Sequence, residues 1–377
     1  MEENAKKLLN SIPPYEVCAC IIHTSNLRYN YEKVKRIVGK NVKCAGVIKA
    51  NSYGFGLEHT IPVLTEAECN DFFVATLEEG IVTRNILRAA QKNANIYILG
   101  GILNDTYEYF KDYNLTPVIT SFGQLEIWTK CSEKHYEKRN SIVHIDTGMS
   151  RNGFRIADAE KVCSIYNKYG LPISYVMSHL ACADEPTHPM NEIQKDRFEL
   201  ASKYFPNAKK SLSSTNGVFL DKSYLFDMVR IGKAMYGYMV RKDLIGEFKP
   251  VIAIYTKVLQ TDEIKKGESI GYGATFVADK DMTVATLGIG YADGLMRKLS
   301  ENSFIYLNGQ RADILGRISM DYTVVDISTH DKKSLIPGNW VCIVDDDNTL
   351  EQLAISNSTL PHEMTCKLGP RVKKIYH

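Results

Sequence analysis

The chain has 377 residues, 44% of them hydrophobic, and a formal charge of only +2. That is enough for one large domain or two ordinary ones, and near-neutral charge speaks against a nucleic-acid or acidic-membrane partner. Nine scattered cysteines, with Cys18 and Cys20 too close for a zinc C-x-x-C pair, point to a reduced cytoplasmic setting and no metal. No apolar run approaches membrane-spanning length, and Met1-Glu2-Glu3 is no signal peptide. The composition would equally suit the soluble part of a longer, membrane-anchored protein.

Val17 to Ile22 reads as a first strand, and Asn26 to Val38 as an amphipathic helix closed by Gly39. Gly46-Val-Ile48 is a short apolar run, the pattern of a strand buried on both faces. Further runs follow at Phe72–Ala75, Ile96–Leu99, Pro117–Thr120, Ile142–Ile145, Ile173–Met177, Lys210–Ser213 and Met228–Ile231. Helical stretches such as Ala157–Tyr169 and Asn191–Tyr204 separate them. This alternation predicts a parallel (β/α)₈ barrel over residues 26–242. The texture changes near Lys242–Lys249. Val251–Val258, Met282–Leu287, Ile305–Leu307, Thr323–Ile327 and Val341–Val344 are strand-like, with no long helical periodicity before Leu350. Residues 243–377 are therefore expected to form a mostly antiparallel β domain.

Lys49 ends the first barrel run and a Gly-punctuated loop follows at once. The carboxyl end of a barrel strand is where such folds keep their chemistry. Partial burial there favours the neutral amine that imine formation with an aldehyde requires. Most lysines, however, are simply solvated surface residues.

Lys49-Ala-Asn-Ser-Tyr53-Gly-Phe-Gly56 resembles the pyridoxal-phosphate (PLP) lysine motif of the alanine racemases, usually K-A-N-A-Y-G-H-G. Further likenesses follow in family order. They are Asp146-Thr-Gly-Met-Ser-Arg-Asn-Gly-Phe154, Ser178-His-Leu-Ala-Cys-Ala-Asp-Glu185, Val229-Arg-Ile-Gly232 with Tyr236-Gly237, and Gly271-Tyr-Gly-Ala-Thr-Phe276. Gly290-Tyr-Ala-Asp-Gly294, Gly316-Arg-Ile-Ser-Met-Asp321 and Arg371-Val-Lys-Lys-Ile-Tyr376 complete the set. The resemblance implies a PLP-dependent racemase and a homodimer with shared active sites. It also implies that the strand within residues 1–25 joins the β domain.

Racemisation removes an α-proton and returns one to the opposite face, so two acid/base groups suffice once the cofactor acidifies that proton. The resemblance makes Lys49 the cofactor-bearing lysine and the base for the D-enantiomer. Tyr272 would serve the L-face, from the partner subunit. A tyrosine's ordinary pKa of about 10 makes it a poor base at pH 7, and His179 matches the histidine that hydrogen-bonds it. Arg230 matches the arginine facing the pyridine nitrogen, which it keeps unprotonated because a guanidinium only donates. Tyr53, Thr215 (serine in most members) and the backbone N–H groups of Gly232 and Lys233 would hold the phosphate. Met320 and Asp321 match residues that reach the substrate across the dimer, and Tyr291 matches an entrance tyrosine.

Two departures stand out. Arg151 matches the arginine that contacts the cofactor oxygen and the substrate carboxylate, but the lysine usually seven positions before it is His144. An ion, water or another residue must then brace Arg151. His362 stands where alanine racemases usually carry a tyrosine beside phosphate and substrate, a position where serine racemases linked to vancomycin resistance also depart. The expected reaction is racemisation of alanine and/or serine, supplying D-amino acids for peptidoglycan, with a dedicated serine racemase as the alternative. A fold-related decarboxylase lacks support because no C-G-x-x-D signature is present. A non-catalytic PLP carrier would need only the barrel.

Overall fold

The structure is a computed structural model that describes residues 3–239, 241–244, 246–300, 303–345, 350–356 and 359–377. The acidic start read at residues 1 and 2 lies outside the described residues. The chain divides into two compact units, Arg28–Phe248 and Met1–Leu27 with Lys249–His377.

In the first unit eight parallel strands run side by side. Their order is Met228–Ile231, Lys43–Val47, Asp71–Val74, Asn95–Ile98, Thr116–Ile119, Ser141–Asp146, Ile173–Met177 and Lys209–Ser211. A parallel bridge between Ser214 and Arg230 brings the two ends together. The result is a nearly closed parallel barrel, as the alternating apolar runs predict. Phe72, Phe73 and Val74 are completely buried, because strands covered on both faces need apolar residues at successive positions. Six helices return the chain, and the Leu77–Ala89 helix opens with a reciprocal cap in which Thr76 and Glu79 satisfy each other's backbone N–H groups.

Two local expectations need correction. The strand before Lys49 ends at Val47 rather than Ile48, because the chain has already turned at Ile48 (φ −116°, ψ 20°). Between the last two barrel strands no α-helix forms. Two 3₁₀ segments, Asn216–Phe219 and Lys222–Tyr224, take its place. The local Ser-Ser-Thr-Asn-Gly composition favours side-chain-to-backbone turns, seen in Ser213 Oγ donating to Tyr224 O and Asp221 accepting from Ser223 N.

The second unit is built on the thirteen-residue strand Ile252–Ile264. It pairs antiparallel with Cys18–Ile22, Met282–Leu287 and Trp340–Val344, and Thr323–Asp326 continues the sheet beside Met282–Leu287. Lys373–Tyr376 adds a parallel strand beside Cys18–Ile22. Its charged Lys373-Lys374 start conceals it from a reading of apolar runs. The helix Glu3–Asn10 covers this sheet, packing Ala5 and Leu9 against Ile21, Ala253 and Tyr255. Among the described residues no helix is long and apolar enough to cross a membrane, and no cluster of His, Cys, Asp and Glu could hold a metal ion.

Candidate active site

Lys49 opens a turn of unusual backbone. Ala50, Asn51, Ser52 and Tyr53 have φ of 53°, 50°, 58° and 55°, a short left-handed helix that costs L-residues roughly 1–2 kcal/mol each. Compensating bonds surround it. Ser52 N–H donates to Ile48 O and Gly56 N–H to Asn51 O. Asn51 Oδ1 accepts from Leu57 N–H at 2.9 Å. The Glu79 carboxylate, which caps its own helix, also accepts from Asn51 N–H at 3.3 Å. Lys49 itself is partly buried.

Beyond this turn, Tyr53 meets the loop after Met228–Ile231. A Cβ on residue 232 would fall 2.6 Å from the Tyr53 hydroxyl oxygen, so only glycine admits the phenol there. The Gly232 N–H donates to Thr215 Oγ1 at 3.2 Å, which leaves the Thr215 O–H as a donor. The 3₁₀ segment Lys233–Tyr236 begins at once. The Tyr53 phenol and the Thr215 hydroxyl thus meet at Gly232, whose own N–H, expected to hold phosphate, is instead committed to Thr215. Lys233 is itself partly buried, and that burial lowers the pKa of its amine.

Arg230 is buried at 3% exposure. Its Nη1 donates to Ser211 O (3.0 Å) and Ser211 Oγ (2.6 Å). Its Nη2 donates to Ser178 O (2.7 Å), Leu212 O (3.1 Å) and His179 Nδ1 (3.2 Å). Burial, then the Arg151 charge, lowers its pKa to about 10, so it stays cationic at neutral pH. His179 is held well below its ordinary value by burial, then by Arg230, Arg151, His144 and Lys49. The Arg230, Arg151 and Lys49 charges thus all bear on this ring, and Arg230 touches it directly. His144 is buried and pushed down to about 3 by burial, Arg230 and Arg151. It is a neutral ring at physiological pH and supplies no anionic brace for Arg151. Arg151 is exposed, presented by a loop that Asp146 organises by accepting from Gly148 and Ser150 N–H at 2.9 and 3.0 Å.

The other candidates belong to the second unit. Tyr272 is 70% exposed on a turn between Gly271 (φ 76°) and Gly273 (φ 73°). Tyr291 and Met320 lie on touching loops. Tyr291 N–H donates to Ser319 O and Ala292 N–H to Met320 O, each at 3.1 Å. A Cβ on Gly290 would fall 2.3 Å from Met320 O, so the loops meet only through glycine. Arg371 clamps them from behind, donating from Nε and Nη2 to Asp293 (3.1 and 3.2 Å) and from Nη1 to Asp321 (2.7 Å). His362 is partly buried in the short helix Pro361–Cys366.

Several supporting residues carry no sequence signal of their own. Buried Gln194 accepts from Ala181 N–H and donates to His179 O and Thr147 Oγ1, so it holds the loop bearing His179. Ser211 and Glu79 are equally ordinary in sequence, whereas Ser52 and Ser178 lie in the quoted likenesses without a role there. Arg371 lies in a quoted likeness that had suggested no role for it.

Two family models match the chain, the alanine racemase N-terminal domain over residues 22–240 and the alanine racemase C-terminal domain over 251–376. A catabolic alanine racemase of Mesorhizobium japonicum is 37% identical over 99% of this chain and 97% of its own length. An alanine racemase of Rhodospirillum rubrum is 34% identical over 88% of each. Among solved structures, alanine racemase from Bartonella henselae with covalently bound pyridoxal phosphate matches with a TM-score of 0.89 at 33% identity, covering 96% of this chain and 99% of that one. The biosynthetic alanine racemase of Pseudomonas aeruginosa matches with a TM-score of 0.87 at 28% identity, covering 96% and 99%.

Proposed function

The chain belongs to the alanine racemase family, and from that premise we propose that it is a pyridoxal-phosphate-dependent racemase. It interconverts the L- and D-forms of alanine, of serine or of both, and supplies D-amino acids for peptidoglycan. The observation that carries this reading is the approach of Tyr53 to Gly232 beside Thr215. A phosphate dianion needs converging donors, and a side chain on residue 232 would push the Tyr53 phenol away from Thr215. These residues fit the cofactor.

Bound there, the cofactor would spread the negative charge of a deprotonated α-carbon into its ring. The protein's own groups do the rest. Lys49 Nζ would hold the cofactor until the substrate's amine displaces it, and the amine so freed would move the α-proton on the D-face. Arg230 commits both terminal nitrogens to protein acceptors, and its guanidinium is the group that would meet the cofactor's ring nitrogen. Because a guanidinium only donates, it would keep that nitrogen unprotonated and so disfavour decarboxylation and transamination.

On the L-face the proton moves to and from the Tyr272 phenol. His179 receives a hydrogen bond at Nδ1, so its remaining proton is on Nε2. From there it donates to the phenolate and eases the phenol's ionisation. A phenol exposed to 70% in the single chain suits a site completed by a second copy, to which Met320, Asp321 and the entrance Tyr291 also contribute. Arg151 binds the substrate carboxylate. His362 takes the place of the family's usual tyrosine and would act on the substrate side chain. A dedicated serine racemase is the second reading, and His362 is the residue that favours it.

Incubation of the purified protein with L-alanine or L-serine, followed by assay for the D-enantiomer, tests the proposal. Borohydride should fix the cofactor on Lys49, with loss of the visible absorption band. Labelling of a different lysine, or no D-product from either amino acid, would overturn it.

A further inference from the structure

The left-handed turn after Lys49 is tied to the barrel by a pair of buried hydroxyls. Ser52 is completely buried, and its Oγ lies 2.8 Å from the Tyr236 hydroxyl. That hydroxyl also lies 3.2 Å from Val47 O, a carbonyl to which it can only donate. Ser52 is therefore the donor in the first contact, and the order runs Ser52 Oγ–H to Tyr236 Oη–H to Val47 O. One end of this chain is the last strand residue before Lys49, and the other lies three residues past it.

The same tyrosine ring also touches the phosphate side of the site. It packs on Tyr53 with ring centroids 4.7 Å apart and stacks on Phe55 at 5.0 Å and 11°. The position of the Tyr53 phenol against Gly232 therefore depends on where Tyr236 sits. In the likeness quoted for this motif, alanine stands at the position of Ser52 and histidine at that of Phe55. The serine donor and the phenyl stack are features of this chain.

We propose that Ser52 and Tyr236 are positioning residues that hold Lys49 and the Tyr53 phenol in register, and that this register sets the protein's affinity for pyridoxal phosphate. The inference rests on the cofactor reading above. Neither residue touches the cofactor in this scheme. Each acts through the turn.

The test is titration of cofactor-free protein with PLP, followed by fluorescence quenching and by growth of the visible band, for the parent, S52A, Y236F and S52A/Y236F. Melting temperatures of the cofactor-free proteins are measured alongside. Y236F strands a buried serine hydroxyl and is expected to raise the Kd about tenfold or more. S52A leaves Tyr236 donating to Val47 O, so a rise of only about two- to threefold is expected. The double variant should bind at least as tightly as Y236F, because no buried donor is stranded.

A Y236F protein that binds PLP as the parent does would overturn the inference. Affinity lost only in step with the melting temperature of the cofactor-free protein would assign the pair to folding, and also overturn it. Should Y236F fail to fold, S52A decides, and a Kd equal to the parent's is then the refuting result. A parent that takes up no PLP overturns the cofactor reading itself, and this inference with it.

Discussion

Arg230 donates to His179 Nδ1 across 3.2 Å, and because a guanidinium has no lone pair to offer, this contact decides which nitrogen of the imidazole carries hydrogen. The same charge is among the causes that hold His179 below its ordinary pKa. Arg230→Gln takes that charge away, so the His179 pKa should climb back towards its usual value of about 6.5. The acid limb of kcat/KM against pH is then expected at higher pH in the variant than in the parent. An acid limb that stays in place would show that Arg230 does not control this ring.

Tyr272 and Lys49 are expected to divide the two faces between them. Tyr272→Phe should slow removal of the α-proton from the L-enantiomer more than from the D-enantiomer, read as exchange of that proton with deuterated solvent for each enantiomer separately. Mixing Lys49→Ala with Tyr272→Phe chains should restore part of the activity, since one hybrid site then holds both bases. No recovery between chains that demonstrably exchange subunits would rule out a shared site.

His144 makes a pH-dependent contribution to stability. In the unfolded chain its imidazole titrates near about 6.5, whereas in the fold it is pushed down to about 3. The unfolded state binds the extra proton between those values. Stability from this residue is therefore complete above about pH 6.5 and is lost as pH falls towards 3. Between pH 7 and pH 5 the loss is about 2 kcal/mol. Urea denaturation of the parent and His144→Asn at both pH values measures it, and the variant should show the smaller drop. Equal drops would mean that His144 is not the group responsible. Because an imidazole forms no stable carbamate like that of lysine, added bicarbonate should leave activity unchanged.

His362 is the candidate for substrate choice. An imidazole is shorter than a phenol and can donate to or accept from a hydroxyl. Apolar pockets discriminate one added group by only about 1–3 kcal/mol, so a single replacement can move the preference. Serine is expected to be racemised at a rate comparable to alanine, and His362→Tyr should lower the serine-to-alanine ratio of kcat/KM. A ratio that the substitution leaves unchanged would remove His362 from this role.

The sequence alone determined the barrel, the antiparallel sheet and the lysine motif, because those are encoded locally. A strand buried on both faces must be apolar at successive positions, as Phe72–Val74 is, and a lysine followed by Gly54 and Gly56 marks a strand-end loop. Arg230 and His179 stood out through the resemblance of the residues beside them to the family's motifs.

What the tertiary structure alone decided is how these groups are held. The left-handed turn depends on bonds from Tyr236 and Glu79, which lie far along the chain from Lys49. No local propensity announces it, since Ala50, Ser52 and Tyr53 would ordinarily avoid that conformation. The terminal strand Lys373–Tyr376 forms because Cys18–Ile22 offers it an edge, not because its own residues demand it. His144 and His179 are neutral because barrel closure buries them beside Arg230, and burial and charge proximity are properties of the folded chain.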